Sequence, residues 1–598
     1  MKLKRTFISI VALMLAVCLM PTALAATWYL EDGDITVIAD ENGQSVKQGS
    51  NSAIADSDTV ITQRDSEKAT DNTITVSTTD DATAIITIED VNINSYGDAI
   101  DVGSSGANIT LEGDNKLNSE YGSGLHVSDG DVTITGSGSL EAGSKNDSNN
   151  NAAIGSHENE AMSGDITIGG DAQVTAVSRD DGAGIGSGDM GEMSGDITIG
   201  DNAQVTAWSE TGGAGIGSGR ESNMSGNITI GGSAQVTAGS NSETAGIGSG
   251  NNGVFTSTGR VVIRDSAKVT AIGENEGAGI GTGEDELMAG MIIIQDNAQV
   301  TAIAGDRAAA IGSDNLDEMT GTIIIIGNAR VTTGILDDDD VSFDYDTKEI
   351  KYTLDENAIG YIGDSKYSNH ESDEGHYIIG PNVTINGISG GDIEALKDYI
   401  NMRLSGENHD GEPENLTKLD VRSENGEFTV TAEGEGVVEK TLYGGSENVP
   451  TAPGTYPVTC VVRIGEETIE FQIGTYVVPE PAPQPEPMAH HERIQLYRVA
   501  DKQGRSIAYK AVQQGGVLTI TTDEKEAKLI IERGGLFALS RQGITKIVFV
   551  TASRKSAISV GAAMEKGSGE FVLLHSSRKV KLTIAGAAVD ADGILIKE

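Results

Sequence analysis

Between Asn151 and Thr333 the chain says nearly the same thing six times: a short β-branched run, a second short strand, then Ala-Gly-Ile-Gly-Ser-Gly or a close variant. The phrase falls at Ile154, Ile185, Ile216, Ile247, Ile280 and Ile311, in steps of 31, 31, 31, 33 and 31 residues. A fixed period of that length marks a repeat architecture, in which no unit buries its apolar face alone and each must stack on the next. Three short segments per period predict one triangular turn of a parallel β-helix. A propeller blade would need four longer strands, and these segments are too short and too rich in glycine.

Within a repeat, alternation assigns each side chain a direction. In Asp165-Ile166-Thr167-Ile168 both isoleucines face one way and Thr167 the other, and 197–199 and 228–230 follow suit. Stacking turns the isoleucines into interior columns and the threonines into an exterior ladder. The second strand, 172–176, sends Gln173 outward, at the head of a column continued by Gln204, Gln235, Lys268, Gln299 and Arg330. Met162, Met193, Met224, Met288 and Met319 recur just before the first strand and read as pliant corner plugs. Late in the array the threonine ladder gives way to Val262, Ile293 and Ile324. An outward apolar column should not face water. Something must cover it, either the insertion that follows or the helix after that.

The flanks are less regular. Strand-like runs at 35–38, 74–76, 85–88, 109–111 and 132–134 predict looser coils, with Trp28 near the N-terminal cap. After Gly334 a hairpin is expected over 341–353, turning at Asp346-Thr347-Lys348, before the rhythm resumes at 358–363. The stretch 343–377 gathers Phe343, Tyr345, Tyr352, Tyr361, Tyr367 and Tyr377. Aromatic faces among carboxylates are what a sugar-binding surface uses, which makes Tyr345, Tyr352, Tyr361 and Tyr367 candidate ligand residues. The competing expectation is a small core sealing the end of the solenoid. Ile393, Leu396, Ile400 and Leu404 form one helical stripe over 389–405, with Ser389 or Asp392 at its start and Gly406 at its end. That helix is expected to cap the solenoid.

The expected fold is therefore all-β. A signal occupies 1–25, a parallel β-helix 26–388, a cap helix 389–411 and a small β-sandwich 412–478. A stiff Pro-rich linker (479–490) leads to a further β-rich domain at 491–598, with runs at 517–521, 529–531, 547–550 and 580–584. The phrase Thr451-Ala-Pro-Gly-Thr-Tyr456 resembles the start of a strand in immunoglobulin-like modules of bacterial surface proteins.

Composition bounds the setting. Lys2, Lys4 and Arg5, an apolar run from Phe7 to Met20 and Ala23-Leu24-Ala25 read as a secretory signal, so the expected location is extracellular or cell-surface, with no membrane span in the mature chain. Cys460 is then the one remaining cysteine, expected as a buried strand residue. Removing the signal's basic residues takes the net charge from −49 to −52. Residues 491–598 carry 17 Lys and Arg against 11 Asp and Glu, leaving −58 on 26–490. A chain so acidic repels nucleic acid. Divalent cation binding and simple solubility both account for the charge.

Catalytic constellations are missing from the sequence. The eight histidines show no metal-ligand spacing, and no GxSxG, P-loop or HExxH occurs. The glycine phrase recurs without the following helix that a phosphate cradle needs. Pectin-type hydrolase or lyase chemistry would require Gly-His-Gly and Arg-Ile-Lys, or calcium beside a basic residue on the same face, and 26–250 hold few Arg or Lys. The expectation is a non-enzyme.

The segment 85–95, with Gly97-Asp98-Ala99-Ile100 and 109–113, resembles the calcium-dependent, acidic-polysaccharide-binding β-helix domains of clostridial surface proteins. The Gly-Ala-Gly-Ile-Gly-Ser-Gly repeats resemble those of secreted proteins from related gut bacteria. Together the resemblance spans roughly 70–335. It implies non-catalytic binding of a polysaccharide or cell-wall polymer, with calcium held by exterior carboxylates, for which Asp98, Asp101, Asp129 and Asp131 are the candidates. Each could equally be a turn aspartate. The alternative function is a structural adhesin that binds host or bacterial surface protein.

Overall fold

Isoleucine or valine at every second position, broken by Gly, Asp and Asn, yields short strands that bury one face and turn sharply. The computed structural model describes residues 26–478 and 496–596 apart from 80–81, 147, 285–286, 314–318, 356–357, 359, 364–374, 398, 401–414, 425–426, 466, 532–534, 567–568, 577–578 and 590–593. It falls into two compact units, Met1–Glu480 and Pro481–Glu598.

The first unit is an all-β, β-helix-like solenoid built on three long, mainly parallel sheets of 14, 12 and 13 strands. Successive coils stack like on like. Ile166 pairs with Ile197 and Ile197 with Ile228, while Gln173, Gln204, Gln235, Lys268, Gln299 and Arg330 form one unbroken register column. The inward isoleucines are fully buried, each contributing on the order of 2 kcal/mol. The five methionines are buried too, bridged coil to coil with Phe255 filling the gap in their column. Gly186, Gly217 and Gly248 hold φ near +140°, and a Cβ on Gly186 would collide with the Gly217 carbonyl. The irregular N-terminal runs form coils as expected, and Trp28 packs on the core with Nε1–H donating to Asp56 at 2.7 Å.

The column Thr167, Thr198, Thr229, Val262, Ile293, Ile324, Ile378 is continuous in register. Its apolar end is covered, but by neither of the two expected candidates. Strands Leu416–Glu424 and Glu427–Gly434 extend the 14-stranded sheet, and Val437–Tyr443, Gly454–Ile464 and Glu467–Val478 form a three-stranded antiparallel sheet. Val458, Cys460, Val462 and Phe471 share one core with Ile293, Ile324, Ile326 and Ile378. The expected free-standing immunoglobulin-like sandwich at 412–478 is therefore corrected: two of its strands belong to a solenoid sheet, and the others pack on the solenoid. Cys460 is buried and free, its thiol pushed up to about 12 by that burial.

The insertion instead straps a different corner. Arg330–Asp344 and Glu349–Leu354 pair as the expected hairpin, and Phe343, Val341, Leu336 and Ile350 bury Val177, Trp208, Ile272 and Ile303. Lys348 at its tip pairs with Glu141, so the hairpin runs back along several coils. The solenoid then resumes, with Ile362–Gly363 on Ile311–Gly312 and His376–Ile379 on Thr322–Ile325.

Of the expected helix, the described residues show one turn, Ile393–Leu396, with Asp392 accepting from the Ala395 N–H. Ser389 lies in the strand Ile388–Ser389 rather than at a helix start. Ile393, Leu396 and Ile400 are buried against the main core, while Leu404 and Gly406 lie outside the described residues.

Among its described residues the second unit holds two five-stranded sheets, containing all four expected strands, and two short helices not expected from the sequence, Gly535–Arg541 and Val560–Met564. Among the described residues of the chain, no helix is long and apolar enough to cross a membrane.

Candidate functional site

The last irregular coils and the first regular repeat bring together residues 25 to 59 positions apart. Strands Ile100–Gly103, Leu125–Val127 and Ile154–Gly155 are neighbours in the third sheet, setting His126 between Asp101 and Gly155. The turn into each strand adds Asp98 and Ser123, and the turn after Gly155 adds His157 and Glu160. Gly122 makes the approach possible: a Cβ there would run into the Asp98 backbone and carboxylate.

His126 and His157 stack face to face, with ring centroids 3.8 Å apart and planes 4° from parallel. Asp98 and Glu160 lie on opposite sides of this stack. Asp98 Oδ1 is 2.7 Å from His157 Nε2, and its Oδ2 is 3.9 Å from His126 Nδ1. Glu160 Oε2 is 2.8 Å from His126 Nε2 and 3.6 Å from His157 Nδ1. Asp101 Oδ1 holds His126 Nδ1 at 2.9 Å, and the Ser123 N–H donates to Asp98 Oδ1 at 2.7 Å.

Burial opposes a charge on His126, but its bonds to Asp101 and Glu160 win and its pKa is pushed up to about 9. Burial likewise opposes the Asp98 carboxylate, yet hydrogen bonds from His157 and Ser123 hold it below the usual carboxylate range. The cluster is compact and built from nitrogen and oxygen donors, with His126 buried and the other four residues half-buried. Asp98, His126 and His157 each offer one ligand atom within 4.8 Å of the others.

At the rim of this corner sit two exposed aromatics. Tyr96 and Tyr121, 72% and 52% exposed, precede Asp98 and Ser123 by two residues each, with ring centroids 4.8 Å apart. A second polar surface lies on the outward face of the 12-stranded sheet, a shallow groove lined by Gln204, Gln235, Lys268, Gln299 and the threonines between them.

The expected site residues divide. Asp98 and Asp101 meet in the cluster. Asp129 and Asp131 do not: Asp129 accepts from the Ser163 hydroxyl at 2.5 Å, and Asp131 accepts from the Asp165 N–H at 3.0 Å. The Asp131 bond starts a ladder, since Asp165 caps the Asp196 N–H and Asp196 the Asn227 N–H. These two are turn aspartates tying coil to coil.

Tyr345 is spent on structure. Its hydroxyl donates to Glu210 at 2.7 Å, its ring meets Phe343 edge-on, and the Arg179 guanidinium lies 4.2 Å from its centroid. Of the aromatic stretch, Phe343 and Tyr345 thus join a small core on a side of the solenoid, and Tyr377 is buried in the main core. Tyr352 is 39% exposed on the hairpin, and Tyr361 is half-buried in the resumed coil. Tyr367 lies outside the described residues.

Calcium fits this cluster poorly. It takes six to eight oxygens, and here two imidazoles stand between the carboxylates and occupy their lone pairs.

Compared with protein-family models, curated proteins and solved structures, the chain finds no match.

Proposed function

We propose that the solenoid is a secreted, non-catalytic carbohydrate-binding module, displayed at or near a cell surface. The observation that carries this reading is the exposed Tyr96–Tyr121 pair beside a rigid corner of carboxylates and imidazoles. Sugar rings stack on aromatic faces, and carboxylates accept their hydroxyls. Exposed aromatics held 4.8 Å apart on stacked coils cost little conformational entropy to use. The Gln–Lys–Thr groove offers a further polar surface for a long glycan.

The acidic-polysaccharide form of this reading needs a cation between ligand and protein, because residues 26–490 carry −58. Calcium enters there as a bridging ion between surface carboxylates and those of the glycan. The basic residues of 491–598 are suited to hold anionic wall polymers.

A glycan array probed with and without chelator tests the proposal. Retention of uronate-containing polysaccharides that chelator abolishes supports the bridged form, and chelator-resistant retention of neutral glycans supports direct stacking. No retention of any polysaccharide would end the carbohydrate reading.

A further inference from the structure

The histidine stack has a feature that a sugar-binding corner does not require. Both imidazoles turn one nitrogen toward Asp98 and the other toward Glu160. A carboxylate behind a ligating histidine fixes its tautomer and aims its other nitrogen at a metal. Here Glu160 stands behind His126 at 2.8 Å and lies 3.6 Å from His157 Nδ1. On the opposite side Asp98, fixed by the Ser123 N–H, completes a set of two nitrogens and one oxygen.

We propose that Asp98 Oδ1, His126 Nδ1 and His157 Nε2 form a binding site for a zinc-class divalent transition metal, with Glu160 orienting His126 and one imidazole turning out of the parallel stack so that both in-plane lone pairs reach the ion. The His157–Asp98 and His126–Asp101 hydrogen bonds mark where protons leave as the metal enters, since imidazole must be neutral to ligate. Two imidazoles and a carboxylate suit zinc, cobalt or nickel rather than calcium or magnesium. Three protein ligands also leave a coordination position open, as in sites that hold water or an exogenous oxygen. His157 and Asp98 are partly solvent-exposed, which gives the ion a path of entry.

The competing account is a proton-bound ion network that takes no metal. The test uses the untagged full chain, carrying His490→Asn and His491→Asn to remove the tandem histidines, stripped of metal and titrated with cobalt chloride alone. We expect visible d–d absorption saturating at one cobalt per chain, displaced by zinc and unaffected by a hundredfold excess of calcium. His157→Asn abolishes the band, and Glu160→Gln keeps it but weakens affinity by about 10- to 100-fold. Should His157→Asn fail to fold, zinc titration of the parent chain followed by histidine NMR replaces it, and both stacked imidazoles must shift. Absence of the band, a band indifferent to His157→Asn, or unshifted imidazoles would overturn the proposal. No glycan is present in any arm, so the result is independent of the carbohydrate reading.

Discussion

The imidazole of His126 lies flat on that of His157, the planes only 4° from parallel. The carboxylates of Asp101 and Glu160 favour the charged form of the buried His126 ring, whose pKa they push up to about 9. The stack exists because each ring occupies a place that glycine fills elsewhere. His126 pairs with Gly155 and stands in the column continued by Gly186, while His157 takes the place of Gly188 at the end of the repeated phrase.

The hairpin strap should open independently of the solenoid. Phe343 stacks 6.2 Å from Trp208 and supplies much of the strap's buried surface. Phe343→Ala removes about 3–5 kcal/mol of packing. Limited proteolysis should then cut within 336–354 well before the parent chain is cut, while the far-UV signature of the strands stays unchanged.

The apolar column predicts where a hydroxyl is tolerated. Ile324 is fully buried beneath the three-stranded sheet, whereas Thr198 in the same column is half-exposed. Ile324→Thr should cost about 2–3 kcal/mol through lost packing and a buried hydroxyl. Hydrogen exchange should quicken across 437–478 and remain unchanged over 151–250. Thr198→Ile should change exchange nowhere by more than a surface substitution does.

These outcomes follow from how the sequence encodes the fold. The stacked columns were legible because period and alternation fix which side chain points inward, and the Thr-to-Ile switch announced a covered face. Its cover was not legible, since nothing local distinguishes a strand joining a solenoid sheet, such as Leu416–Glu424, from the first strand of a separate sandwich. The histidine cluster escaped for a different reason. Asp98, His126 and His157 lie one coil apart, so their spacing matches no contiguous ligand motif, and register alone unites them. The available signal was a histidine standing twice in glycine columns. Tyr345 misled because an aromatic beside carboxylates reads alike whether it stacks on a sugar or donates to a half-buried glutamate.

Asp189 makes a pH prediction. It is buried, its Oδ1 finds no hydrogen-bond partner among the described residues, and burial with the nearby Asp181 charge pushes its pKa up to about 6 from 3.8. A group raised on folding supports the folded state below its unfolded pKa, and that support is lost as pH rises through the folded value. Thermal stability attributable to Asp189 should therefore fall between about pH 4 and pH 6. Asp189→Asn should flatten that slope and stabilise the chain by about 1 kcal/mol at pH 8, read from thermal unfolding at several pH values. An unaltered slope would mean that another group carries it.

The central claim is that the solenoid binds glycan at the Tyr96–Tyr121 corner. Affinity electrophoresis of the full chain in gels containing the polysaccharide it retains best measures this most directly. Tyr96→Ala with Tyr121→Ala should weaken retention about tenfold or more, the loss of roughly 1.4 kcal/mol expected when two stacking faces are removed. The double variant should melt like the parent, because both rings are exposed. Undiminished retention by a correctly folded double variant would contradict the account.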